Sequence, residues 1–153
     1  MPNYKGHIAG GVITYLVVLY CIKYTNPSVH TVLQGLVFCL FGSLFPDVDV
    51  KSKGQKIFYY LLFLFLLYCL MTFRWEMFIV ASFLGIVPLL VRHRGIFHKI
   101  WFLLGLTLLL IISIKSLHLT YETLLITNTC FFFAGCVSHV LLDQFFTKLK
   151  RYV

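Results

Sequence analysis

Residues 123–142 read TLLITNTCFFFAGCVSHVLL, a stretch of 20 residues without a formal charge that ends at Asp143. A transmembrane helix needs about 20 mainly apolar residues, so this stretch is long enough to cross a bilayer. The whole chain agrees with it, because 60% of its 153 residues are hydrophobic and only 12% are charged. Soluble domains are about 45–50% apolar and about 25% charged. We therefore predict an integral membrane protein, and a mean hydropathy of +0.92 excludes a soluble globular or a disordered chain.

Further uncharged runs precede this stretch, and they cover residues 8–22, 24–45, 57–73, 77–91 and 100–114. The second run contains the turn sequence Asn26-Pro27-Ser28, so its helix is expected to begin near Val29. The first, fourth and fifth runs would measure only about 22 Å as helices, so these helices either continue into flanking polar residues or stop below the membrane surface. The runs predict an all-α fold with about six transmembrane helices, in a single integral membrane domain over residues 1–153.

The basic residues predict the orientation of these helices. Ten of the 13 lie at the N-terminus, in the 46–56 and 92–99 loops or in the C-terminal tail. The opposite side holds only Lys23, Arg74 and Lys115. Because short cytoplasmic loops carry an excess of Lys and Arg, both termini are expected in the cytoplasm. The net charge of +8 is explained in the same way, so no nucleic-acid partner is predicted.

Two pairs of ionisable residues lie on the predicted cytoplasmic side. His139 and Asp143 are four residues apart, which places both on one face of a helix, and they are expected at the end of that apolar helix. Asp47 and Asp49 follow Pro46, which is expected to end the second helix. Carboxylates this close repel each other unless a cation lies between them. Taken singly, the first pair is equally consistent with a His–Asp hydrogen bond, and the second pair favours a solvated turn over a cation site.

Three more histidines belong to the same side. His93 and His98 flank a glycine-containing turn, with Arg94 beside the first of them. The positive-inside rule explains the arginine of such a loop but not its histidines. His7 lies at the start of the first helix, where a lone histidine is usually structural.

The coincidence of these segments carries more weight than any one of them. Four segments far apart in sequence bring histidine or aspartate to one membrane face, and ionisable residues near a membrane point to function. Four histidines and three aspartates suffice for one or two divalent ions, with zinc favoured over manganese or magnesium. A hydrolytic metal site needs about three protein ligands and an open position.

Taken together, the motifs His-x-x-Gly, Pro-Asp-x-Asp, His-Arg-Gly-x-x-His and Ser-His-x-x-x-Asp give the chain a family resemblance. It resembles the YdjM-like family of LexA-regulated, inner-membrane metal-dependent hydrolases over nearly its whole length. The resemblance implies an inner-membrane location, and it assigns the motif residues His7, Asp47, Asp49, His93, Arg94, His98, His139 and Asp143. One departure is that Phe97 and Lys99 occupy positions where the family often has small hydroxyl residues.

The resemblance also suggests roles. His7, Asp47, His98, His139 and Asp143 would bind the metal, and Asp49 would bridge a second ion or act as a base. His93 would ligate or act as an acid, and Arg94 would bind a phosphate. The resemblance fixes no substrate, and the location of the site at the membrane face alone suggests a phosphate ester of a lipid or lipid-linked molecule. Two other classes stay open: a metal-binding sensor or transporter without catalysis, and a structural helical protein with a hydrogen-bonded polar cap.

Overall fold

The computed structural model describes residues 4–48, 53–90, 96–116 and 121–152. These ranges contain six α-helices and no β-strand, so the all-α prediction is confirmed. The helices are α1 (Tyr4–Ile22), α2 (Val29–Leu44), α3 (Lys53–Met71), α4 (Trp75–Leu90), α5 (Ile100–Ser116) and α6 (Glu122–Tyr152). Four of them, α1, α2, α3 and α6, are long and apolar enough to cross a membrane, whereas α4 and α5 have 16 and 17 residues. Six crossings and cytoplasmic termini remain predictions.

Local sequence explains where α2 begins and ends. The helix begins at Val29, as predicted, because the Ser28 hydroxyl accepts a hydrogen bond from the Thr31 N–H and caps the first turn. Asn26 precedes this cap with a left-handed φ of 48°. At the other end α2 stops at Leu44, and a 3₁₀ turn over Phe45–Asp47 contains Pro46. The expected helix-ending role of Pro46 is therefore confirmed.

Helices α1 and α6 extend beyond their apolar runs at the ends that carry candidate site residues. Helix α1 begins at Tyr4 and includes His7 at the end of its first turn. Helix α6 has 31 residues and continues to Tyr152. Asp143 therefore lies inside a helix, and its expected position at a helix end is wrong. The extension after Leu142 lacks Gly and Pro, so nothing in its sequence breaks the helix.

Helices α2 and α6 pack with their backbones unusually close. A Cβ atom added to Gly42 would lie 1.9 Å from the Phe132 carbonyl oxygen, and one added to Gly135 would lie 2.1 Å from that of Cys39. Only glycine permits this approach, which is typical of helix packing in membranes. Gly11 on α1 accepts the Cys39 thiol hydrogen bond through its carbonyl oxygen, at 3.3 Å. The three helices thus form a tight unit.

The surface and interior of the bundle fit a lipid environment. Large apolar side chains are exposed on the outer helix faces, including Ile13 on α1, Phe63 on α3 and Ile112 on α5. Buried aromatic side chains fill the end of the bundle near the Phe45–Asp47 turn, where the Phe45 ring contacts those of Phe58, Phe97 and Phe132.

A candidate metal centre

Four ionisable side chains from three separate segments meet at one end of the bundle. Asp47 belongs to the turn after α2, His98 lies two residues before α5, and His139 and Asp143 occupy successive turns of α6. One ligand atom from each of them lies within 4.8 Å of all the others. We call Asp47, His98, His139 and Asp143 the four-residue cluster. Long-range folding therefore brings together residues that the sequence only assigned to the same membrane face.

The four carboxylate–imidazole distances inside the four-residue cluster are nearly equal, and its other two pairs of ligand atoms lie within 4.8 Å. Asp47 Oδ1 lies 3.5 Å from both His98 Nε2 and His139 Nε2. Asp143 Oδ2 lies 3.4 Å from His98 Nε2 and 3.6 Å from His139 Nε2. One oxygen of each aspartate, Asp47 Oδ1 and Asp143 Oδ2, thus faces both imidazoles.

These distances suit ligands around an ion better than direct hydrogen bonds. Protein N–H···O bonds are about 2.7–3.2 Å long. Ligand atoms of a tetrahedral zinc site, at metal distances of about 2.0–2.2 Å, lie about 3.3–3.6 Å apart. His139 Nε2 is fully buried and has no hydrogen-bond partner among the residues the structure describes. The donor set of two carboxylates and two imidazoles is one that zinc accepts.

The backbone of α2 fixes the orientation of the His139 ring. His139 Nδ1 lies 2.7 Å from the Ser43 carbonyl oxygen. Because a carbonyl oxygen only accepts hydrogen bonds, Nδ1 carries the hydrogen in this contact. In the neutral ring the lone pair is then on Nε2, which faces Asp47 and Asp143. Metal-binding histidines are held in this way by a partner of their second nitrogen.

His7 contacts the four-residue cluster from the side. Its ring stacks on that of His139, with centroids 3.8 Å apart and planes inclined by 12°. His7 Nε2 lies 3.5 Å from Asp143 Oδ1, the carboxylate oxygen that does not face His98 and His139. The structure therefore places His7, a predicted ligand, against two members of the cluster on its buried side.

Exposure divides the cluster into a closed half and an open half. The side chains of His139 and Asp143 are 0% and 9% exposed, whereas those of His98 and Asp47 are 26% and 33% exposed. Structural zinc sites are closed by four protein ligands, and catalytic sites keep a position open. The open half leaves the cluster accessible from outside the bundle through His98 and Asp47.

Aromatic packing holds the two open-half residues in place, and the sequence did not reveal it. Phe97, next to His98, is fully buried and makes an edge contact with Phe45, two residues before Asp47. The Gln55 side chain also donates a 2.7 Å hydrogen bond to the Val48 carbonyl oxygen, beside Asp47. The departure at Phe97 from the family pattern therefore has a structural reason. The only sequence signal was a large apolar residue in a polar loop.

Three predicted site residues, Asp49, His93 and Arg94, lie outside the described residues. Each is close in sequence to a member of the four-residue cluster, since Asp49 follows Asp47 by two residues and Arg94 precedes His98 by four. Their predicted roles stay predictions.

Comparison with known proteins adds one match. The family model described as YdjM inner membrane protein matches residues 1–148. No curated protein and no solved structure matches the chain. The family match and the apolar helices together make this a multi-pass protein of the inner membrane.

Proposed function

The chain belongs to the YdjM inner membrane protein family, and from this premise we propose that it is a membrane-embedded, metal-dependent hydrolase. Its site is the four-residue cluster, on the cytoplasmic side of the membrane by the positive-inside rule. The proposed substrate is a phosphate ester of a lipid or of a lipid-linked molecule. One observation carries the proposal: two carboxylates and two imidazoles converge, and a backbone carbonyl orients the most deeply buried imidazole.

Charge balance supports a divalent ion at the cluster. The carboxylates of Asp47 and Asp143 together carry two negative charges when ionised, and neutral His98 and His139 add none. Bringing two carboxylates together at the edge of an apolar bundle is costly without a compensating charge. A divalent cation cancels that charge, and it gives the buried Nε2 of His139 a partner.

A metal bound at this position would polarise a phosphoryl oxygen and lower the pKa of a coordinated water to about 7. The other catalytic roles would fall to side chains of the protein. Asp47 and His98, on the open half, would face the substrate. We assign Asp49 the role of base, or of ligand to a second ion, and His93 the role of acid. Arg94 suits bidentate contact with a phosphate.

The depth of the site supports a lipid substrate. Leu141 and Phe145 flank Asp143 on α6, and their side chains are 53% and 60% exposed. Exposed apolar side chains two positions before and two positions after Asp143, on the opposite face of α6, support lipid contact of this helix at the depth of the cluster. A phosphate ester at the membrane surface would then meet the site while its hydrocarbon part stays in the bilayer.

A transport function has less support. Transporters place polar and ion-binding residues near the membrane midplane. Between α2 and α6 the described residues offer one part-buried polar side-chain pair, in the second turn of each helix and not at its midpoint, in which Asn128 Nδ2 donates to Gln34 Oε1 at 2.8 Å. An amide pair that bonds to itself ties two helices together and carries no charge for an ion path.

Phosphate release by the purified, zinc- or manganese-loaded protein tests the proposal. One arm uses a phospholipid phosphate monoester in mixed micelles and a second uses a water-soluble phosphate ester. We expect turnover of the lipid substrate, and its loss to background in Asp143→Asn. Glu122→Gln, at the opposite end of the same helix, is the matched control and should keep full activity.

Metal-loaded protein that hydrolyses neither substrate would contradict the hydrolase and favour a metal-binding sensor. Turnover of the soluble ester alone would contradict the lipid part of the proposal only.

A further inference from the structure

The position of His7 assigns it a different task from that of the four-residue cluster. His7 comes from α1, which supplies no member of the cluster, and its side chain is only 2% exposed. Its ring is held between two cluster residues, with His139 against its face and Asp143 near its Nε2 atom. These two cluster residues hold the His7 ring in place, and His7 in turn restricts the orientation of their side chains.

Ring geometry argues against His7 and His139 binding the same ion. An imidazole binds a metal through a lone pair that lies in the plane of its ring. The planes of His7 and His139 are 3.8 Å apart at their centroids and inclined by only 12°, so they do not meet near either ring. The rings of His98 and His139 are inclined by 70°, with centroids 5.3 Å apart, so their planes do cross nearby. Only the second pair has the orientation of two ligands to one ion.

The two oxygens of Asp143 face different partners. Oδ2 faces the cluster, at 3.4 Å from His98 Nε2, while Oδ1 faces His7 Nε2 at 3.5 Å. Oδ1 is buried and has no hydrogen-bond partner within the described ranges, so its environment depends on His7. A metal-binding carboxylate is oriented by the group that faces its other oxygen.

We propose that His7 is a positioning residue, which holds the Asp143 carboxylate and the His139 ring in place without binding the ion of the four-residue cluster. This inference rests on the proposed metal site, and it replaces the ligand role that the family resemblance suggested for His7. The ion would then have two imidazole ligands, His98 and His139, and two carboxylate ligands.

Two substitutions separate the contacts of His7. His7→Gln keeps an N–H donor for Asp143 and removes the ring, whereas His7→Phe keeps a flat ring against His139 and removes the donor. His30→Gln is the matched control, because His30 is exposed at the start of α2, at the opposite end of the bundle. X-ray absorption of the zinc-loaded proteins counts imidazole ligands, and competition with a chelator of known affinity gives the zinc Kd.

We expect wild type and all three variants to hold one zinc with the same imidazole count. The Kd should weaken about 10–100-fold in each His7 variant, as for other groups that orient metal ligands. It should stay unchanged in His30→Gln. A merely structural His7 would leave the Kd of the folded variants unchanged, and that result would overturn the proposal.

Loss of one imidazole in both His7 variants would also overturn it, because His7 would then be a ligand. Wild-type protein that holds no zinc is a different failure, since it removes the proposed metal site as well as this inference.

Discussion

His139 Nδ1 lies 2.7 Å from the carbonyl oxygen of Ser43, although 96 positions separate the two residues in the sequence. This contact exists because α2 and α6 approach each other closely at Gly42 and Gly135. The packing of the two helices therefore determines the direction in which the His139 Nε2 atom points. This contact connects the packing of the helices to the geometry of the candidate site, so a substitution that separates α2 from α6 tests the connection.

Gly135→Ala should separate the two helices. The new Cβ would lie 2.1 Å from the Cys39 carbonyl oxygen, and a backbone atom cannot move aside as a side chain can. We expect a loss of stability of about 1–3 kcal/mol, as for other overpacked positions, and weaker zinc binding because Ser43 moves away from His139. Thermal unfolding in detergent and zinc titration measure the two effects.

Gly105→Ala is the control for that substitution. A Cβ at Gly105 would meet no neighbouring atom within 4 Å. Alanine should leave α5 unchanged or stabilise it by up to about 1 kcal/mol, because glycine weakens a helix interior. Equal stability of Gly135→Ala and Gly105→Ala would contradict the close packing of α2 and α6.

Phe97→Ala should weaken both the fold and the open half of the cluster. Phe97 is fully buried against Phe45 and Phe102, and truncating a buried Phe costs about 3–5 kcal/mol. His98 follows directly, so its position relaxes and the zinc Kd should rise. Trp101→Ala, whose ring is 67% exposed on α5, should change the Kd little. A Kd in Phe97→Ala as low as in Trp101→Ala would show that this packing does not position His98.

The Asn128–Gln34 pair should contribute to stability and not to ion binding. Interhelical hydrogen bonds in membranes average about 0.6 kcal/mol, with a maximum near 1.7 kcal/mol. A double-mutant cycle with Asn128→Ala and Gln34→Ala should give a coupling energy in that range, with an unchanged zinc Kd. The pair is separated from His139 by about 16 Å of α6. A coupling energy of zero would show that this hydrogen bond does not stabilise the protein. A changed zinc Kd would show that the pair affects the metal site.

Zinc should raise the thermal stability of the wild-type protein. An ion that binds only the folded chain adds about 2.7 kcal/mol when its concentration is 100 times the Kd. The gain should disappear on chelation and be absent in Asp143→Ala, while His30→Ala should keep it. A gain of equal size in Asp143→Ala would place the zinc at another site.

The sequence predicted the positions of the helices well. In lipid the backbone N–H and C=O groups of each apolar run must form hydrogen bonds within the protein, and a helix provides them. It also indicated which residue types were available for chemistry, since a chain with so few charges leaves little choice. The start of α2 near Val29 was predicted from a turn sequence and is confirmed. The full length of α6 was not predicted, because its continuation past Asp143 mixes apolar residues with Lys148, Lys150 and Arg151 and so breaks the uncharged run.

The geometry of the site could not be predicted, for physical reasons. The Ser43 carbonyl is a backbone group, so no residue type marks its role. Gly42 and Gly135 are 93 positions apart, and nothing in the chain says that they pack together. The stacking of His7 on His139 depends on the exact placement of α1, although both residues were recognised as candidates. Composition gives the set of side chains, and tertiary packing decides which atoms face each other.

Elemental analysis of the detergent-purified protein, prepared without chelators, tests the central claim most directly. We expect about one zinc or manganese ion per chain in wild type and in His30→Ala, and none in His139→Ala. Wild-type protein that contains no metal after this preparation, and binds none on titration, would contradict the account. The four-residue cluster would then be a polar cap that closes the end of the helix bundle.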